Sequence, residues 1–439
     1  MSETLISVGL DVGTTSTQMI LSELTIENRA GSFAVPELEI QNRKILYKSP
    51  IHFTPLIRGE LVDGDRIREI VDREYAAAGI RKEDVDTGAI IITGETSRKE
   101  NARAVLDALS DYAGEFVVAT AGPDLESVLA AKGAGAVDYS AKTGKTVLHM
   151  DIGGGTANLA LIRDGKITAT GCLNIGGRLL KMDPNGRLIY VSAVLDGLFR
   201  KQTGDYVNQN EVLELAGTLA QGLEMAAGLR EKQELLDKLT TPEAGPWVPP
   251  SDAVISFSGG VADCIETRHS FLAFGDLGPE LGQAIRESRL CQGSYILGQE
   301  TIRATVIGAG CHSTQLSGST VFHQNVRFPL KNLPVVESAE ALARLDGPGV
   351  LMVPGEALDF SGIRDLAKGI TASGKTPVYL AASGDMAKAL GVQIALKLGP
   401  QAEILCIDRV RLKEGDYLDV GAPIGPALPV VVKTLILNR

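Results

Sequence analysis

The chain has 439 residues, 44% hydrophobic and 22% charged, which fits an ordinary globular protein of about three compact units and excludes a disordered, collagen-like or coiled-coil polymer. A net charge of −11 works against nonspecific attraction to nucleic acid or to an anionic membrane surface. No apolar run reaches the roughly 20 residues of a membrane span, and Met1 to Leu5 has neither a basic nor an apolar leader segment, so a cytoplasmic protein is expected.

Ile6, Val8, Leu10 and Val12 alternate with Ser7, Gly9 and Asp11, the period-two pattern of a strand with one apolar face. Gly13-Thr14-Thr15-Ser16 then turns the chain into a second strand, Thr17 to Leu24, so the unit is a hairpin opened by a carboxylate. A helix over Asp65 to Ala78, a buried strand at Ala89 to Thr93, a helix near Arg98 to Leu109 and a strand at Phe116 to Ala119 continue an α/β alternation. At Thr146 the opening pattern returns: a strand ending in Asp151-Ile152, the turn Gly153-Gly154-Gly155-Thr156, and a second strand, Ala157 to Ile162. Asp164-Gly165, a strong hairpin pair, leads into the return strand Ile167 to Leu173. Asp11 and Asp151, Val12 and Ile152, and Gly13 and Gly153 share an offset of 140 residues, the mark of two similar domains in tandem. Helical stretches at Glu211 to Leu229 and Lys232 to Leu239 precede a proline-rich loop, Thr241 to Pro250, and a strand, Ala253 to Ser258, ended by Gly259-Gly260. From Gly349 a third unit follows: strand Val350 to Val353, helix Leu358 to Ile370, strand Pro377 to Ala382, helix Asp385 to Leu398 and strand Ala402 to Ile407, closed by short β-rich runs. The expected divisions are 1–145, 146–320 and 321–439.

The two hairpins carry the chemistry. Glycine-rich turns let backbone N–H groups converge on an anion, and Thr14, Thr15 and Thr156 add hydroxyls, so Gly13, Thr14, Thr15, Gly153, Gly154, Gly155 and Thr156 are candidate phosphate ligands. Asp11 and Asp151 suit Mg2+, which takes one or two carboxylates beside phosphate oxygens and keeps several waters. Ser258-Gly259-Gly260 lets a flat base lie against the backbone. Thr93-Gly94-Glu95-Thr96 ends a buried strand and could either face the same space or form a solvated turn, and Gly176-Gly177-Arg178 could either approach a nucleotide or form a plain turn. Gly369 to Thr376 satisfies G-x-x-x-x-G-K-[ST], yet it follows a helical stretch and enters a strand, so a helix-to-strand turn is expected instead of a P-loop. The five cysteines (Cys172, Cys264, Cys291, Cys311, Cys406) contain no C-x-x-C pair and read as reduced, structural thiols. The histidines show no ligand spacing, and His149 reads as a satisfied core residue.

In the order loop, loop, strand-Gly-Gly, the first 320 residues resemble the actin-like ATPase superfamily. The resemblance implies an α/β protein, an actin-like ATPase fold of two ribonuclease-H-like lobes with ATP and Mg2+ in the cleft, here with an additional C-terminal α/β domain. Asp11 to Thr15 and Asp151 to Thr156 would be the phosphate loops, Ser258 to Gly260 the adenosine-side loop, and Pro123 to Gly133 and Ile307 to Gln315 the connecting helices. Asp11, Asp151 and Glu126 would form the catalytic set, Glu126 orienting the attacking water. Gln18 stands where actin has a phosphate-contacting lysine, so any ATP turnover is expected to be slow.

Closer still, Val8 to Gln18 (VGLDVGTTSTQ), Ala89 to Thr96 (AIIITGET), Phe116 to Gly135, Asp151 to Ala160 (DIGGGTANLA), Cys172 to Leu179 (CLNIGGRL), Val306 to Ser319 (VIGAGCHSTQLSGS) and Gly415 to Pro423 (GDYLDVGAP) resemble the ethanolamine ammonia-lyase reactivating factor family across nearly the whole chain. That resemblance implies an ATP- and Mg2+-dependent, chaperone-like partner of ethanolamine ammonia-lyase. It would help the inactivated lyase release damaged cobalamin so that adenosylcobalamin can rebind. An association with a bacterial microcompartment and an oligomeric state are compatible with it. The alternatives on the same fold are a sugar kinase, an ATP-binding scaffold or filament protein, and an iron–sulfur dehydratase activator, the last disfavoured by the unpaired cysteines.

Overall fold

Strand order shows the duplication directly. The N-terminal sheet runs, edge to edge, Leu38–Lys48, Ser16–Asn28, Glu3–Val12, Thr87–Ile92, Val118–Thr120, with short His52–Phe53 added beside Ser16–Asn28. The second sheet runs Lys166–Leu173, Ala157–Arg163, Val147–Ile152, Val254–Ser258, Tyr295–Leu297. In each, the first strand in the chain pairs antiparallel with the second and parallel with the fourth, and the fourth pairs parallel with the fifth. This order, with one reversed strand, is that of a ribonuclease-H-like lobe, and two in tandem make the actin-like arrangement. The computed structural model describes residues 3–13, 16–28, 38–57, 61–93, 109, 118–120, 123–242, 247–250, 252–298, 300–312, 314–317, 320–345, 347–353, 358–373, 376–410, 412–423 and 427–434. The expected helix at Arg98 to Leu109 falls almost entirely outside them.

Local chemistry fixes the elements. The helix Gly64–Ala78 starts where Asp63 Oδ1 accepts from the Arg66 N–H and stops at Gly79, whose φ of 69° is left-handed. Its Ile67, Val71 and Tyr75 pack on Val8, Leu10 and Val12 of the central strand. In the second lobe a reciprocal cap between Asn208 and Glu211 starts the helix Gln209–Ala226. Val212, Leu215 and Leu219 of that helix share a core with Met150, Ile152 and Phe257. Asp164 and Gly165 both take positive φ, 48° and 71°, the two-residue turn expected from their identity. The strand Leu38–Lys48 was not foreseen: it is an edge strand with exposed Gln41, Asn42, Arg43 and Lys44, so its apolar alternation is weak.

The helices Pro123–Gly133 and Ala304–His312 join the halves, and they meet backbone to backbone. A Cβ on Gly133 would lie 1.9 Å from the Ala304 carbonyl oxygen, and one on Gly308 would lie 2.1 Å from that of Leu129. A Cβ on Gly9 of the central strand would likewise be too close, 2.5 Å from the Val306 oxygen. The second of these helices begins three residues earlier than the sequence suggested and ends at His312. Thr314–Leu316 is a strand instead, because it pairs with Pro429–Thr434 while the Thr314 hydroxyl meets that of Thr87 at 2.8 Å.

The C-terminal sheet has eight strands in the order Thr314–Leu316, Pro429–Thr434, Asp416–Val420, Leu330–Val336, Val350–Val353, Val378–Ala382, Ile404–Ile407, Phe322–Gln324. It therefore takes in a strand ahead of residue 321. Ile363, Ala367, Leu390 and Ile394 from the helices Phe360–Ile370 and Ala387–Leu398 cover one face. The P-loop-like stretch follows the first of these helices through Thr371–Ser373 and enters the strand Val378–Ala382, so no helix N-terminus faces it; residues 374 and 375 lie outside the described set. No helix among the described residues is long and apolar enough to cross a membrane.

Candidate functional site

The two hairpin turns are copies at the level of single hydrogen bonds. Gly13 N–H donates to the Ser16 carbonyl at 2.9 Å, and Gly153 N–H donates to the Thr156 carbonyl at 2.9 Å. Asp11 sits opposite Gln18 across the first hairpin, and Asp151 sits opposite Asn158 across the second. Each aspartate is also held by a hydroxyl at the end of the neighbouring parallel strand. The Thr93 hydroxyl donates to Asp11 Oδ1 at 2.8 Å, and the Ser258 hydroxyl donates to Asp151 Oδ1. Thr305, at the start of the second connecting helix, also bonds Asp151.

Burial pushes both carboxyls up, Asp11 to about 7 and Asp151 to about 6, against the lowering effect of their hydroxyl donors. The charge of Asp151 raises Asp11 further, so the carboxylates of the two lobes act on each other across the cleft. Among the described residues neither aspartate has an ion-pair partner. Beside them, Gln18 Oε1 and Asn158 Oδ1 are buried with no hydrogen-bond donor among the described residues. Two desolvated acids lacking a cation and two amide oxygens lacking donors fit one guest: a hydrated divalent ion, whose charge answers the first and whose waters answer the second. No cluster of three or more His, Cys, Asp or Glu side chains with metal-binding geometry occurs among the described residues.

The second glycine turn projects into open space. Gly154 and Gly155 are exposed, and a Cβ on Gly155 would meet nothing within 4 Å. Among the described residues their N–H groups donate to no backbone carbonyl. Gly176 to Arg178 braces this turn from behind: Gly177 N–H donates to the Gly153 carbonyl at 3.0 Å and Arg178 N–H to that of Gly154 at 2.6 Å. Gly259, at φ 87°, backs onto Ile152 with no room for a side chain, whereas the nearest atom to a Cβ on Gly260 would be Ile302 Cδ1 at 3.9 Å. Ser258 is fully buried with its hydroxyl committed to Asp151. Thr14 and Thr15 lie outside the described residues. Glu126 is half-buried in the first turn of its helix, where Asp124 and Ser127 are tied to Thr170 and Gly171.

The segment before the second connecting helix stitches the lobes together. Gln18 Nε2 donates to the Ile302 carbonyl at 3.3 Å, Arg303 donates to that of Ser49 at 3.1 Å, and Lys48 pairs with Glu300. Sequence reasoning had the two aspartates and placed Gln18 by the phosphates, but it did not have Asn158. The same 140-residue offset, followed from position 18 to position 158, points to Asn158.

The family model for the ethanolamine utilisation protein EutA matches residues 3–351 and 346–438. The chain belongs to the EutA family. Two relatives are each 38% identical over 98% of both chains: the ethanolamine ammonia-lyase reactivases EutA of Salmonella typhimurium and Escherichia coli. Among solved structures, an Aquifex aeolicus member of the Ppx/GppA family covers 70% of this EutA-family chain and 97% of its own at 13% identity, with a TM-score of 0.42. The ethanolamine utilization protein EutJ of Carboxydothermus hydrogenoformans covers 70% and 89% at 17% identity, with a TM-score of 0.35. The lobe architecture stands on the strand orders given above.

Proposed function

We propose that the chain is a reactivase of ethanolamine ammonia-lyase that works with ATP and Mg2+. The observation that carries this reading is the facing pair Asp11 and Asp151, presented by duplicate hairpins in a chain whose relatives at 38% identity are named for that reactivation. When bound with ATP, magnesium neutralises triphosphate charge and favours phosphoryl transfer to water.

The chain's own residues divide the remaining work. Asp11 and Asp151 hold the hydrated ion, while Gln18 and Asn158 accept from its waters. Gly13, Thr14, Thr15, Gly153, Gly154, Gly155 and Thr156 take the phosphates, and Gly259 and Gly260 lie beside the adenosine. Ser258 acts on that site through Asp151. Glu126 orients the attacking water. Gln18 brings no positive charge to the phosphates, so turnover is slow.

A nucleotide gripped by both lobes favours the closed arrangement by its extra affinity for that form, and loss of the terminal phosphate releases it. The lyase, engaged in one arrangement and let go in the other, frees damaged cobalamin and takes up adenosylcobalamin. The test is to incubate cobalamin-inactivated lyase and fresh coenzyme with the chain, with and without Mg-ATP. Activity is expected to return only in the complete mixture. Equal recovery without ATP, or none with it, would overturn the proposal.

A further inference from the structure

Position 149 is filled by a histidine where a purely apolar strand would suffice. Along Val147–Ile152 the side chains of His149 and Asp151 share one face, and along the parallel strand Val254–Ser258 so do Ser256 and Ser258. The register sets Ser256 beside His149 and Ser258 beside Asp151. Four polar side chains thus form a compact block across two central strands. Ser256, His149 and Ser258 are 0% exposed and Asp151 is 5% exposed.

They are joined in one line. His149 Nδ1 lies 3.0 Å from Ser256 Oγ, His149 Nε2 lies 2.9 Å from Ser258 Oγ, and the Ser258 hydroxyl bonds Asp151 Oδ1. The chemistry of the end group sets every direction. A carboxylate only accepts, so Ser258 spends its proton on Asp151 and must accept from His149. Nε2 therefore carries the imidazole proton, and Nδ1 accepts from the Ser256 hydroxyl.

We propose that His149 is a positioning residue that, through Ser258, holds the Asp151 carboxylate in the orientation in which it meets the metal. The inference rests on the reading of Asp151 as a magnesium ligand. His149 touches neither metal nor nucleotide. It keeps Ser258 from rotating away, with Ser256 anchoring the far side of the ring. Partners that orient a carboxylate ligand in this way contribute about 10- to 100-fold in metal affinity.

The test is calorimetric titration of ADP into the intact chain in EDTA and in Mg2+, the readout being the ratio of the two affinities. Wild type, Asp151→Asn, Ser258→Ala, His149→Phe and His149→Gln are compared, each checked by its thermal unfolding. Ser258→Ala and His149→Phe are expected to lose about 10-fold or more of the magnesium enhancement, with affinity in EDTA unchanged. His149→Gln, whose amide N–H reaches toward Ser258, is expected to recover most of it. A merely structural histidine would lower both affinities together. If Asp151→Asn loses the enhancement while His149→Phe keeps it, positioning by His149 is overturned and the magnesium reading stands, whatever Ser258→Ala does. If Asp151→Asn keeps it, the reading itself falls and the relay with it. Should His149→Phe fail to fold, His149→Leu, which likewise cannot donate to Ser258, decides by the same ratio.

Discussion

Asp11 and Asp151 are desolvated acids without a counter-charge among the described residues, an arrangement that costs stability when no cation is present. Asp11→Asn and Asp151→Asn are therefore expected to raise the melting temperature in EDTA at pH 8 by about 2–4 °C. Both should lose the further rise that Mg2+ with nucleotide gives the wild type; differential scanning fluorimetry reads both effects. Asp408, in the C-terminal domain, shows the same physics away from the site. It is fully buried after the strand Ile404–Ile407, its Oδ2 accepts from Thr320, and its Oδ1 has no partner among the described residues. Burial, with the nearby charge of Asp385, pushes it from 3.8 up to about 6. A carboxyl raised on folding favours the folded state at pH 4, and that advantage is lost as the pH rises through 6. Relative to wild type, Asp408→Asn should gain stability between pH 4 and pH 7.5, by on the order of 3 kcal/mol, in denaturant unfolding followed across that range.

Elements separate structural glycines from functional ones. Gly133 and Gly308 stand where two helix backbones touch, and neither neighbour can retreat. Gly308→Ala is expected to cost about 3 kcal/mol or more, or to prevent lobe docking, seen as a lowered or split unfolding transition. Gly155→Ala meets no atom within 4 Å, so stability should stay within about 0.5 kcal/mol while affinity for Mg-ATP falls in calorimetric titration, because on the proposed function the methyl group would occupy phosphate space. These contacts mark the limit of sequence reading. The twin hairpins were legible because Asp11, Gly13 and their counterparts recur at one offset, and the alternation in Val350 to Ile407 was legible because its periodicity is local. The strand at Thr314–Leu316 was not, since its partner is more than a hundred residues away. Nor was the role of His149, which reads as core filling until the register places Ser256 and Ser258 on either side of its ring.

At the scale of the whole molecule, two lobes with one ancestry in strand order enclose a cleft, and the segment from Glu300 to Thr305 touches both sides of it. On the proposed function, nucleotide binding at the facing aspartates would be felt there. Mg-ATP is expected to slow amide exchange in Thr301 to His312 and in the hairpin Gly153 to Thr156, with no such change in Asp151→Asn. The C-terminal sheet is bound to this core through Thr314, whose neighbours in the chain form the second connecting helix. A lobe movement can thus reach the third domain through covalent structure. The most direct measurement is a crystal structure of the chain with Mg2+ and a non-hydrolysable ATP analogue. The expected result is one metal ion between the Asp11 and Asp151 carboxylates, with the triphosphate against Gly13 and Gly153 to Thr156. A nucleotide bound elsewhere, or a metal site that leaves either aspartate out, would contradict the account.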